Sequence, residues 1–150
     1  MYDGGEIIIV RNIVFNNNMA DHASLNGRPC ILLSEADDKV TFLPMRSTLP
    51  KTDFCYNTEI RKGSVQCLRK HFYKKDISYV NFVSIFQRET RFYEVVARVF
   101  EDRYYKLINE IMSHKMNEVP ECADIYESIY DDLERQRGSL RLLLKSREEG

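Results

Sequence analysis

No apolar run in this chain is long enough to cross a bilayer; Ile7 to Val10 is among the longest and falls far short. The N-terminus carries Asp3 and Glu6 where a secretory leader would be basic, so nothing there resembles a signal peptide. A soluble, cytoplasmic protein with no membrane partner is expected. The four cysteines, Cys30, Cys55, Cys67 and Cys122, show no CxxC spacing. They are expected to be reduced thiols, mostly buried. Cys67 and His71 stand four apart, but two ligands with no partners do not make a zinc site. The chain has no Walker P-loop, GxGxxG, HExxH or GxSxG, so nucleotide hydrolysis, dinucleotide binding and zinc or serine hydrolysis lack support. A two-metal nuclease needs clustered carboxylates. Asp37-Asp38 reads as a turn, and the acid-rich C-terminal stretch as a solvated helix face. No metal and no cofactor are expected. No repeat or low-complexity tract is visible beyond Asn16-Asn17-Asn18.

What is present is enough for one domain: 150 residues, 43% of them hydrophobic. The net charge of −1 hides an uneven distribution. Arg61, Lys62, Arg69, Lys70, Lys74 and Lys75 crowd one stretch with His71 among them, while Glu101 to Glu134 is dominated by acids. A localised basic segment is the electrostatic footprint of polyanion binding. A lone lysine run is more simply a solvated surface, but Phe72, Tyr73 and Tyr79 beside this one can stack on bases.

The pattern along the chain predicts a short antiparallel barrel followed by helices. Strands are expected over 6–15, 29–34, 40–44 and 54–60, with one or two more between Ile77 and Ile85. Residues 64–74 read equally as a strand or a short basic helix. Asn16 to Asn26 is a long polar loop, and Glu35 to Lys39 a turn. From about Glu94 the apolar spacing becomes three and four residues, which predicts a helix through Met112. Pro120 would break it, Asp124 would cap a second helix, and Gly138 would weaken that one. The expected class is α+β in a single domain, with a barrel core over about 4–90 and helices over about 91–150.

The most informative block is Gly27-Arg28-Pro29, opening the apolar run Cys30 to Leu33, followed by Val40 to Pro44 and then Met45-Arg46-Ser47-Thr48. Gly-Arg-Pro breaks regular structure, which sets Arg28 at a strand mouth. In an antiparallel pair the start of one strand lies beside the end of the next, so Arg28 should neighbour Arg46, Ser47 and Thr48. An arginine facing hydroxyls suits the gripping and splitting of a phosphodiester. Metal-free RNA cleavage uses the ribose 2′-hydroxyl as nucleophile and needs a base, an acid and donors around the phosphorus. Arg28 is the first candidate, since its fork matches two phosphate oxygens; a structural ion pair at the rim is the plainer alternative. Ser47 and Thr48 serve as donors or as strand-end caps. Arg46 and Lys51 add positive charge or are plain surface. His22, in the first long loop, could serve as general acid or base near neutral pH, although a lone loop histidine is more often a bystander. RNA contacts are expected from Arg46, Arg61, Lys62, Arg69, Lys70, His71, Phe72, Lys74 and Lys75. Tyr79 and Asn81 would stack on a base or hydrogen-bond to it, or belong to the core.

Taken in order, Gly5 to Val10, Arg28-Pro29 to Ser34, Pro44 to Thr48 and Ile77 to Ile85 resemble the MazF/PemK/Kid family of ribonuclease toxins. The resemblance covers roughly residues 4 to 90. Arg46 stands where that family often has a hydroxyl, the segment Phe54 to Lys75 is basic and atypical, and the C-terminal third is long and helical. These departures move the match toward the ToxN/CptN/TenpN branch, with the CptN-like group favoured: endoribonucleases of type III toxin–antitoxin systems. The resemblance implies an SH3-like barrel of the MazF/Kid type. It implies metal-independent cleavage leaving a 2′,3′-cyclic phosphate and a 5′-hydroxyl. It also implies cellular RNA as substrate and inhibition by a small structured RNA antitoxin in a protein–RNA hetero-oligomer. The rivals are a MazF-type toxin with a protein antitoxin, a non-catalytic RNA- or protein-binding SH3-like module, and a gyrase poison of the CcdB type. Arg28-Pro29 and the Pro44-to-Thr48 cluster disfavour the last.

Overall fold

The computed structural model describes residues 1–13, 27–49, 56–69, 76–113 and 120–149. Eight strands and two helices follow one another: β1 (Glu6–Val10), β2 (Arg28–Ala36), β3 (Lys39–Arg46), β4 (Asn57–Arg61), β5 (Val65–Cys67), β6 (Ile77–Asn81), β7 (Phe86–Glu89), β8 (Val95–Val99), α1 (Glu101–Ser113) and α2 (Pro120–Glu149). The class is α+β, and all strand pairs are antiparallel. No helix among the described residues is long and apolar enough to cross a membrane.

The β2–β3 hairpin organises the sheet. Its turn is Asp37-Asp38, both at positive φ (54° and 59°). A two-residue turn with two left-handed residues follows the right-handed twist of the flanking strands. The turn is therefore tighter than the five residues expected from Glu35 to Lys39. Both faces of the hairpin are buried, in period two. Ile31, Leu33, Leu43 and Met45 enter one cluster with the helices. Cys30, Leu32, Val40 and Phe42 enter a second, on the opposite face, with Ile8, Val10, Ile13 and Tyr93.

The sheet runs β4-β6-β3-β2-β1-β8-β5, with β7 also against β3. Among the described residues it does not close into the barrel that the sequence had led one to expect. One edge of β3 pairs with β2; the other is divided between β7, opposite Lys39–Phe42, and β6, opposite Met45–Arg46. The sheet branches there, and among the described residues the end strands β4 and β5 pair only with β6 and β8.

Several expected elements differ. The first strand ends at Val10, and β4 begins at Asn57. Residues 62–64 form a 3₁₀ turn, and β5 covers only Val65–Cys67 of the undecided stretch. The helix expected from Glu94 begins only at Glu101, because Val95–Val99 is a strand. Its β-branched residues pack on both faces, and β8 pairs with β1 and β5. From Glu101 the helical stripe holds: Tyr104, Leu107, Ile108 and Ile111 are buried. Pro120 starts α2, where its missing N–H costs no intrahelical bond, and Asp124 lies inside the helix. The helix runs unbroken through Gly138 for 30 residues. Cys122, Tyr126, Ile129 and Leu133 seat it in the same core as α1 and the sheet.

Candidate nucleic-acid interface

Gly27 delivers the chain into β2 at φ 85°, and a Cβ there would lie 2.6 Å from Ile9 Cγ2, so glycine is required on both counts. Arg28 then stands opposite Val10, Pro29 opposite Ile9 and Cys30 opposite Pro44. One step further along the same register sets Pro29 opposite Met45. Proline has no N–H to give, and Arg28 Nη1 donates to the Met45 carbonyl at 3.2 Å. That bond ties the half-buried Arg28 to the end of β3, one residue before Arg46 and two before Ser47. Ser47 and Thr48 follow as an exposed bend. The two strand mouths are thus neighbours, as hairpin geometry requires.

Arg46 departs from a surface cation: it is 7% exposed and lies opposite Tyr79 of β6. Tyr79, half-buried, lies in turn opposite Glu59 of β4. Because side chains alternate across a strand, Arg28, Arg46, Tyr79 and Glu59 form one row on one face of four successive strands. Asn81 shares that face but is 3% exposed. Its Nδ2 donates to Asn57 Oδ1 at 3.0 Å, and its Oδ1 accepts from the Val83 N–H at 2.9 Å, so it shapes the turn after β6. Arg61 is exposed and bonds Glu59 at 3.2 Å. Lys62 is exposed on the 3₁₀ turn. Arg69 faces Glu94 at 3.3 Å. Carboxylates thus sit against two of the three basic residues described in this stretch. His22, Lys51, Lys70, His71, Phe72, Lys74 and Lys75 lie outside the described residues.

A second polar cluster went unnoticed in the sequence. Ser34, 2% exposed near the turn end of β2, donates to Asp132 Oδ2 at 2.7 Å. Gln136 Nε2 donates to the same oxygen at 2.9 Å and to the Leu33 carbonyl at 2.8 Å. Tyr104 donates to Gln136 Oε1 at 2.8 Å. Burial, and then the Asp132 charge, push the Tyr104 phenol well above its ordinary pKa, so it is a fixed donor. The network borders a cavity of about 290 Å³ that Arg98, Glu101 and Arg135 also line. It replaces the solvated face expected around Asp132. The signal was faint: one hydroxyl in an apolar strand, and two polar residues four apart beside the stripe of Ile129 and Leu133. Six residue steps along β2, about 20 Å, separate Ser34 of this cluster from Arg28.

The cysteines follow expectation where they are described. Cys30 and Cys122 are buried and Cys67 is exposed. Burial pushes the Cys30 thiol far up, which makes it inert. No group of three or more His, Cys, Asp or Glu among the described residues is arranged to hold a metal ion. No protein-family model matches the sequence, and no curated protein resembles it closely enough to count as a match.

Proposed function

We propose that this chain is a cytoplasmic endoribonuclease toxin of the ToxN/CptN/TenpN kind, with an SH3-like fold and a small structured RNA as its antitoxin. The observation that carries the reading is the Arg28–Met45 contact. It sets a guanidinium at the end of a strand that leads directly into Ser47 and Thr48. In this reading Arg28 stabilises the charge that develops on the phosphate oxygens, and the two hydroxyls orient the phosphate. The ribose 2′-hydroxyl attacks, leaving a 2′,3′-cyclic phosphate and a 5′-hydroxyl without a metal ion. The branching of the sheet at β3 supports an SH3-like derivation, in which a bent strand serves two half-sheets.

The test is cleavage of cellular RNA by the purified chain in excess EDTA, with end-group analysis of the fragments. Arg28→Ala should lower the rate by about a hundred- to a thousand-fold, the typical cost of losing one such donor. Its circular dichroism should match that of the parent. Full activity in a folded Arg28→Ala protein refutes the assignment. RNA binding without cleavage by the parent returns the chain to a non-catalytic module, and co-purification with a protein inhibitor returns it to the MazF-type class.

A further inference from the structure

The row of side chains on β2, β3, β6 and β4 contains one carboxylate, Glu59. Resting on the ribonuclease reading above, we infer that Glu59 is the general base that takes the 2′-hydroxyl proton. Adjacent strands lie about 4.8 Å apart, so the Cα atoms of Arg46 and Glu59, two strands apart, are about 10 Å from each other. Buried Arg46 marks the inner end of that span, and a base resting on half-buried Tyr79 sets its ribose beside the exposed Glu59 carboxylate.

Three further features suit Glu59 to the role. Its side chain is 48% exposed, which leaves the carboxylate accessible to RNA. Arg61, two residues on and on the same face, holds it at 3.2 Å. The backbone beneath is fixed: Arg103 of α1 donates to the Glu59 carbonyl and to Thr58 Oγ1, each at 2.8 Å, and is itself held by Glu110 at 3.0 Å. A strand anchored in this way keeps a catalytic group in place better than a loop does. Among the described residues, the charged and titratable groups on the face of the carboxylate are Arg61 on its own strand, Tyr79 on β6 and Arg46 on β3, while Arg103 of α1 meets the β4 backbone from the Thr58 side.

The step balances as follows. The 2′-hydroxyl proton passes to the Glu59 carboxylate as the 2′-oxygen forms its bond to phosphorus. The bond from phosphorus to the 5′-oxygen breaks, and its electron pair leaves with that oxygen. The 5′-oxygen takes a proton from water, and Glu59 returns its own proton to solvent.

The experiment uses the full chain and a labelled RNA oligonucleotide carrying one site mapped with the parent protein. Affinity is measured on the same oligonucleotide with a 2′-deoxy residue at that site. Glu59→Gln is expected to lower kcat by about a hundred-fold or more, to leave that affinity unchanged, and to abolish the acid limb of the pH–rate profile. Arg61→Gln breaks the same ion pair but keeps the carboxylate; it is expected to raise KM and retain the acid limb. A Glu59→Gln kcat within about three-fold of the parent, where general acid–base groups contribute about a hundred-fold or more, overturns the inference while the ribonuclease reading stands. So does an acid limb that persists in Glu59→Gln. A parent protein that cleaves no RNA overturns both.

Discussion

Gln136→Ala tests whether the network under the sheet holds β2, α1 and α2 together. The native amide donates to the Leu33 carbonyl and Asp132, and accepts from Tyr104. A net hydrogen bond contributes about 1 kcal/mol, and more to a charged acceptor, so three bonds sum to roughly 3–4 kcal/mol. Part of that is recovered. Asp132 keeps Ser34, and the Tyr104 hydroxyl has the Leu33 carbonyl at 3.3 Å as a second acceptor. The expected loss is therefore about 2–3 kcal/mol, or a fall in Tm of roughly 5–10 °C for a chain of this size. Urea and thermal unfolding followed by circular dichroism measure it. A double-mutant cycle with Tyr104→Phe should return a coupling of about 1 kcal/mol, because the two residues share one bond. A loss below about 0.5 kcal/mol, or no coupling in the cycle, refutes the reasoning, since surface substitutions fall in that range.

Two further outcomes are expected. Glu101 has its carboxyl held below the usual range, first by its own backbone N–H at the start of α1 and then by Arg147 at 3.4 Å. Its folded pKa lies below its unfolded one, so its stabilisation is present above the unfolded value and is lost as pH falls through the folded value. Glu101→Gln should thus shallow the loss of stability between neutral pH and about pH 3, read from urea midpoints; an unchanged decline sinks this. At the β2–β3 turn, Asp38→Gly should stabilise by about 0.5–1 kcal/mol and Asp38→Val should destabilise by at least about 1 kcal/mol, because φ is 59° there. Equal midpoints for the two variants would contradict the turn geometry.

The hairpin could be read from residues alone because its signal is local: apolar residues on both faces, interrupted by two aspartates. So could the neighbourhood of Arg28 and the end of β3, which follows from antiparallel pairing. The stripe of α1 was equally plain. Val95–Val99 was not, because five residues do not separate a strand period from a helical one when three of them are valine. β7 gave almost no signal, since Phe86–Glu89 is mostly polar and only half-buried. Burial of Arg46 was hidden for a related reason: an arginine at a strand end looks like surface until β6 is set against it. Ser34 and Asp132 meet across the length of the chain, and nothing in the spacing of either announces the other.

The pairing of β1 with β8 bears on how the protein is made. Ile7 lies opposite Ala97, so one edge of β1 waits for β8, which is synthesised about 90 residues later. Ribosomes add about 5–20 residues each second, which leaves that apolar edge without its partner for seconds. A chain halted in that interval carries an open strand edge rich in isoleucine, a template for pairing with another chain. Truncated forms ending before Val95 should therefore collect in aggregates, whereas the finished chain closes the edge upon itself.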